Sequence, residues 1–232
     1  MYTKYMIKTG LRELDRFLGG GIKEGLVTSI SGQSATGKTQ LAFQICLNAL
    51  HNDGKDILFQ DTTGTFRPER LVQMMQLQKI NPSLLDKIKV NRITNTGQQI
   101  QWLSKMRMSS DLLGYSLIII DSITDLFSFE YSKKEQSLEK HISFMKYMHD
   151  LSNIAIDTKI PIIVTNIVRS RFENWSVNKH EKENIEESIS MYIHTKIKLS
   201  KNSNEYLCQA ISPFANKQFQ YTIKSKGLTD QS

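Results

Sequence analysis

The stretch Gly32-Gln33-Ser34-Ala35-Thr36-Gly37-Lys38-Thr39 decides how the rest of this sequence is read. It meets G-x-x-x-x-G-K-[ST] at every fixed position, the pattern of a phosphate-binding loop. Glycines let the backbone curl so that successive N–H groups face one point, where the following helix adds the positive end of its dipole. In such a loop Lys38 reaches the β/γ oxygens of a nucleoside triphosphate, and the Thr39 hydroxyl ligates magnesium. Gly32, Gln33, Ser34, Ala35, Thr36, Gly37, Lys38 and Thr39 are thus the predicted nucleotide-binding residues, with ATP and Mg2+ as the predicted cofactors. The bland alternative is a chance glycine-rich turn. Against it, Leu26 to Ile30 read as a strand entering the loop, and Leu41, Ala42, Ile45, Cys46, Ala49 and Leu50 form one apolar helical face leaving it.

Outward from the loop, helical and strand patterns alternate. Leu11, Leu14, Phe17 and Leu18 recur at helical spacing, and Gly19-Gly20-Gly21 stops that helix. After the loop helix ends at Asn52-Asp53-Gly54, Ile57-Leu58-Phe59 reads as a buried strand and Pro68 to Gln78 as a helix opened by its proline. A helix follows Gly97, with Ile100, Leu103 and Met106 on it, and Leu117 to Ile120 is a buried parallel strand running straight into Asp121. Ile142, Met145, Met148, Leu151 and Ile154 mark a long helix, and Ile162-Ile163-Val164 the next strand. Thr195 to Leu199, Tyr206 to Ile211 and Phe219 to Ile223 read as closing strands near the C-terminal end. This order predicts an α/β fold with a mostly parallel central sheet flanked by helices. Asp121, at the carboxyl end of its strand, is placed to hold the magnesium shell beside the loop. Its plainer role is to cap the segment from Ser122 onward.

Composition narrows the class. At 232 residues with no repeat or linker, the chain reads as a single domain, 1–232. The formal charge of +7 suits an anionic partner such as nucleic acid. Cys46 and Cys208 are isolated thiols, which argues for a reducing cytoplasm and against a disulfide framework. No run approaches 18 apolar residues, so no membrane partner is expected. His51, His141, His149, His180 and His194 show no zinc-ligand spacing. Met74, Met75, Met106, Met108, Met145 and Met148 are expected to pack in the core or between helices.

Several stretches resemble the RecA/RadA recombinase superfamily. Thr9-Gly10, Glu13-Leu14-Asp15, Gly19-Gly20-Gly21-Ile22 and Gly25 look like the start of its core. Asp61-Thr62-Thr63-Gly64-Thr65-Phe66-Arg67-Pro68-Glu69-Arg70 is more specific, similar to the stretch after the second core strand in archaeal RadA and eukaryotic recombinases. Asp121-Ser122, Tyr131-Ser132, Val164-Thr165-Asn166 and Ser212-Pro213 follow in family order. The resemblance implies a RecA-like core without the N-terminal helical domain that RadA carries, the layout of archaeal RadB-type paralogues. No Phe-x-x-Ala element precedes Thr9, so no long filaments are expected. Arg70 matches the arginine that stacks on adenine in the family. Read alone, it is equally a solvated helix-face arginine.

Three positions depart from the family. Thr63 stands where active recombinases carry the glutamate that activates water, so slow or absent hydrolysis is expected. Asp61 and Glu69 are the nearest acids, but neither occupies the matching position. Ile167 replaces the glutamine that senses the γ-phosphate and couples it to DNA, and Ile211 replaces an acid near a neighbouring subunit's nucleotide.

By the same resemblance, the segments 131–136 and 169–189 occupy the two DNA-binding loops. Arg169, Arg171, Phe172, Trp175, Lys179 and Lys182 mix cations with aromatics, a combination that grips a single strand by phosphate pairing and base stacking. Glu173, Glu181, Glu183, Glu186 and Glu187 offset that charge, which keeps a solvated helix or a protein-docking surface open as alternatives. Lys196, Lys198, Lys201, Lys217, Lys224 and Lys226 form a separate basic group, with Lys196 and Lys198 on one strand face. The expected function is an ATP-binding recombinase paralogue, cytoplasmic or nucleoid-associated, acting as an accessory or regulatory factor in homologous recombination or DNA repair. Its expected partners are single- or double-stranded DNA and a recombinase or other protein. The competing class is a nucleotide-controlled signalling or scaffold ATPase like the circadian-clock KaiC branch, which shares the glycine-rich start and the phosphate loop but not Phe66 to Arg70. A third is a DNA-binding module in which ATP is only structural.

Overall fold

The computed structural model describes residues 6–108, 110–131, 137–168, 190–203, 205–212 and 215–231. A short ribbon of β1 (Met6–Ile7) and β2 (Ile22–Lys23) brackets α1 (Arg12–Phe17). The glycine-rich start acquires its meaning here. Buried Asp15 accepts from the Thr9 N–H at 2.7 Å and from the Thr9 hydroxyl at 2.9 Å, which fixes the approach to α1. Burial raises the Asp15 carboxyl above its ordinary range, opposed by these bonds from Thr9.

The main sheet has nine strands in the order β11-β10-β9-β8-β3-β7-β6-β4-β5. These are β3 (Val27–Gly32), β4 (Asp56–Asp61), β5 (Ile88–Arg92), β6 (Tyr115–Asp121), β7 (Ile162–Ile167), β8 (Thr195–Asn202), β9 (Glu205–Ser212), β10 (Ala215–Lys224) and β11 (Gly227–Asp230). From β8 to β5 every pairing is parallel. From β8 to β11 every pairing is antiparallel. The helices are α2 (Lys38–Asp53), α3 (Pro68–Gln78), α4 (Thr96–Met108), α5 (Asp125–Glu130) and α6 (Ser137–Thr158).

Alternate strand residues point to opposite faces, so the sheet carries two cores. Ile57, Phe59, Leu117, Ile119, Ile163 and Ile197 pack on one side against Leu41, Ile45 and Leu71 of α2 and α3. Leu58, Ile118, Ile120, Ile162 and Val164 pack on the other against Leu103, Phe127, Phe144 and Leu151 of α4, α5 and α6. No described helix is long and apolar enough to cross a membrane.

The mostly parallel sheet, its flanking helices and the closing strands all occur as predicted, and α3 spans the predicted residues. Some details differ. Ile142, expected on the buried face of α6, is 59% exposed, and Met108 is 91% exposed. The face that α6 buries is set by Phe144, Tyr147, Met148 and Leu151, because the rings of Phe144 and Tyr147 pack against Phe127 of α5 within the same core. Strand β8 is parallel to β3, so it extends the parallel region before the antiparallel closure begins.

One glycine holds that closure to α2. Gly227 opens β11 at φ +127°, and a Cβ there would lie 2.1 Å from Gln44 Oε1, which accepts the Leu228 N–H at 2.8 Å. Gly227→Ala should cost about 1–3 kcal/mol. For a chain of this length that lowers Tm by roughly 2–12 °C, and a thermal melt with an unchanged Tm would refute the account.

Candidate functional site

Parallel register gathers the chemically distinctive residues at the carboxyl edge of the sheet, where ligands of open α/β sheets bind. Asp61 ends β4 opposite Asp121 at the end of β6, and Gly32 ends β3 opposite Ile167 at the end of β7. From Gly32 the loop runs into α2, whose N-cap is Gly37 at φ 90° with no side-chain cap and no acid in the first turn. The first amides of α2 are therefore left for an outside acceptor.

Within the loop, the Lys38 ammonium and the Thr36 hydroxyl both donate to the Gln33 carbonyl, at 2.7 and 2.9 Å. Lys38 is buried, which lowers its pKa, while Asp121 and Asp125 pull it back up. The Thr39 hydroxyl donates to Asp121 Oδ2 at 2.7 Å, and the Thr165 hydroxyl donates to Asp121 Oδ1. Burial raises Asp121 above the usual carboxylate range, although both hydroxyls and Lys38 stabilise its charge. A buried carboxylate touching a hydroxyl offers hard oxygen donors of the kind that magnesium takes, so Thr39 and Asp121 fit the ion.

Asp61 has a different task. Its Oδ1 accepts from the amides of Thr63, Gly64 and Thr65 at 3.1, 2.8 and 3.2 Å, and its Oδ2 from the Phe66 amide at 3.3 Å. The Arg92 guanidinium lies 3.7 Å from the same Oδ1. The carboxylate is the hub around which residues 62–66 turn, and so it is not a free base. The Thr63 hydroxyl lies 3.2 Å from Asp61 Oδ1 and 2.6 Å from the Thr65 hydroxyl. Glu69 is exposed in the first turn of α3. Thr62 joins the loop to the end of β6, because its hydroxyl donates to the Ser122 carbonyl at 2.6 Å and accepts the Ser122 amide at 2.8 Å.

Arg70 leaves α3 toward α2. Its Nε donates to Gln40 Oε1 at 2.9 Å and its Nη2 to the Lys224 carbonyl at 3.3 Å. It is thus placed one residue beyond Thr39, not free in solvent. Asn166, at the end of β7, accepts the Thr124 hydroxyl at 2.6 Å. Ile211 pairs with Lys196 and Asn216 in the closing strands. Lys196 and Lys198 do share a face of β8, and Lys196 donates to Ser190 Oγ at 2.6 Å. Arg169, Arg171, Phe172, Trp175, Lys179 and Lys182 lie outside the described residues, as do residues 132–136. Sequence reasoning missed Thr165 as a partner of Asp121 and Tyr221, whose hydroxyl reaches the Thr36 carbonyl at 2.6 Å. Neither has a local signal, since both contacts are made only by sheet order.

A mostly parallel sheet with a G-x-x-x-x-G-K-[ST] loop after its central strand, and an acid ending a strand one place removed, is the arrangement of a phosphate-loop α/β fold. The Rad51 family profile matches residues 3–231, and the chain belongs to that family, within the RecA/RadA recombinase superfamily. It is 28% identical over 236 residues to a DNA repair protein RAD51 homolog of Solanum lycopersicum, covering 97% of this chain and 69% of that protein. It is likewise 28% identical over 235 residues to DNA repair protein rhp51 of Schizosaccharomyces pombe, covering 97% and 64%. To the DNA repair and recombination protein RadA of Cenarchaeum symbiosum it is 33% identical over 171 residues, covering 71% and 43%.

If Asp61 is the hub of the loop, Asp61→Ala should cost about 2–4 kcal/mol, because bonds to a charged acceptor are lost together. Urea denaturation measures this, and amide exchange at residues 63–66 should accelerate in the same variant. Unchanged exchange there would refute the assignment.

Proposed function

We propose that this recombinase-family chain binds ATP with magnesium but turns it over slowly, acting as an accessory or regulatory DNA-binding factor in homologous recombination or repair. The observation that carries this reading is the split between two halves of the site. The binding half is complete: an uncapped helix N-terminus, Lys38 within the loop, and Thr39 2.7 Å from Asp121. Magnesium held there would supply charge neutralisation between the β- and γ-phosphates. The hydrolytic half is depleted. Water attack needs a positioned proton acceptor, worth about 10²–10⁴-fold. Thr63 offers only a hydroxyl, and Asp61 is committed to the loop amides. Ile167 lies opposite Gly32 and has no side-chain amide to read a γ-phosphate.

DNA as partner is supported by family membership, by the charge of +7 and by the cations and aromatics between Arg169 and Lys182. Arg70, held beside α2, is the side chain we assign to the adenine.

Lys38→Ala should reduce ATP affinity by at least about tenfold in calorimetric titration, since it removes a charge-assisted contact to phosphate. Asp121→Asn should weaken the magnesium dependence more than nucleotide affinity itself. Unchanged affinity in Lys38→Ala would sink the site assignment.

For turnover, Thr63→Glu should raise the rate by about ten- to a hundredfold by restoring a carboxylate. The comparison is steady-state hydrolysis with and without single-stranded DNA. DNA-stimulated turnover by the unmodified protein at the level of a full recombinase would overturn the slow-hydrolysis reading. ATP binding without any DNA binding would favour a scaffold ATPase instead.

A further inference from the structure

Tyr221 lies on β10, far from the phosphate loop in sequence, yet its side chain is fully buried and its hydroxyl donates to the Thr36 carbonyl at 2.6 Å. The acceptor belongs to the peptide between Thr36 and Gly37, the one that leads into the N-cap of α2. That peptide is trans, because the cis bond among the described residues is Asp121–Ser122. In a planar trans peptide the C=O and the following N–H point in opposite directions. A hydroxyl that holds the Thr36 carbonyl toward β10 therefore turns the Gly37 N–H the other way, away from the closing strands.

We infer that Tyr221 is a positioning residue of the nucleotide site: it aims the Gly37 amide at the bound phosphate by fixing the carbonyl of the same peptide. This rests on reading the loop as an ATP site. The hydrogen bond also polarises the peptide and makes its N–H a stronger donor. Burial pushes the Tyr221 phenol well above its usual range, so the hydroxyl remains a donor throughout the physiological range.

The surroundings hold this contact firmly. Gly37 sits so close to the closing hairpin that a Cβ on it would meet Ile223 Cδ1 at 3.1 Å and Leu228 Cδ1 at 3.2 Å. The Gln44 side chain of α2 brackets Leu228, accepting its amide at 2.8 Å and donating to its carbonyl at 3.2 Å. Hairpin β10–β11 is thus the back wall of the phosphate loop, and Tyr221 is its polar contact with the loop backbone. Tyr206 packs its ring 5.4 Å from that of Tyr221 and provides a neighbouring tyrosine as control.

The test is Tyr221→Phe, which removes one oxygen and keeps the ring. Its dissociation constants for ATP and ADP with magnesium should rise together by about three- to tenfold, the worth of one neutral hydrogen bond. Tyr206→Phe should leave both constants unchanged. A lowered Tm in Tyr221→Phe with unchanged nucleotide affinity would make the hydroxyl merely structural and overturn the inference. Should Tyr221→Phe fail to fold, the Gly37 amide resonance of the unmodified protein decides: a large downfield shift on adding ADP supports the inference, and an unmoved resonance overturns it. Absence of nucleotide binding by the unmodified protein would instead bring down the reading of the site itself.

Discussion

The start of α2 carries an obligation that the chain does not meet by itself. A helix begins with amides that have no partner within it, and globular proteins usually satisfy them with a serine, threonine or aspartate cap. Here the cap position is Gly37 in a left-handed conformation, with no acid in the first turn to answer the helix dipole. The helix is nonetheless held in place, because Leu41, Ala42, Ile45 and Cys46 are buried against the sheet. Tertiary packing keeps an electropositive terminus exposed at the carboxyl edge of β3. The remaining site residues are arranged around that terminus.

Asp61 shows how acidic residues at the same edge serve different ends. It lies in register with Asp121 on the neighbouring strand, yet the two carboxylates have different partners. Asp121 faces the hydroxyls of Thr39 and Thr165, side chains that reach it from α2 and β7. Asp61 faces backbone amides of its own loop, which cannot leave without the loop unfolding. One carboxylate joins neighbouring elements and the other shapes a single loop. Asp61 is among the acids nearest Thr63 in sequence, but its hydrogen bonds commit the carboxylate to the loop amides.

What could be read from sequence follows from how local each signal is. The phosphate loop, α3 with its leading proline, and the apolar run into Asp121 declare themselves within a few residues, and each is found where expected. Strand β5 carries no such signal, because Ile88 is its only well-buried residue and the edge position leaves Lys89 and Val90 in solvent. The apolar face of α6 begins later than the helical period suggests, because Ile142 fits the period but stays exposed while Phe144, Tyr147, Met148 and Leu151 are buried. The contacts of Thr165 with Asp121 and of Tyr221 with Thr36 depend on β7 and β10 lying where sheet order puts them. No window of sequence contains both partners, so such pairs become visible only after folding.

The same distinction explains why binding and turnover can separate in one site. Residues that hold the ground state are woven into the fold: Thr39 and Thr165 satisfy a buried carboxylate, and Tyr221 satisfies a buried carbonyl. Replacing any of them leaves a buried polar group unpaired, at a cost of about 1–3 kcal/mol, so stability alone tends to preserve them. Thr63 is held less deeply. Its half-buried hydroxyl meets the Asp61 carboxylate at 3.2 Å and the Thr65 hydroxyl at 2.6 Å, while the course of the loop is set by Asp61 through backbone amides, which are present whatever side chain occupies the position. Interactions realised only in the transition state set the rate. A side chain held by two hydroxyl contacts at the rim of a loop can change at less cost to the fold than one that satisfies a buried carboxylate or carbonyl.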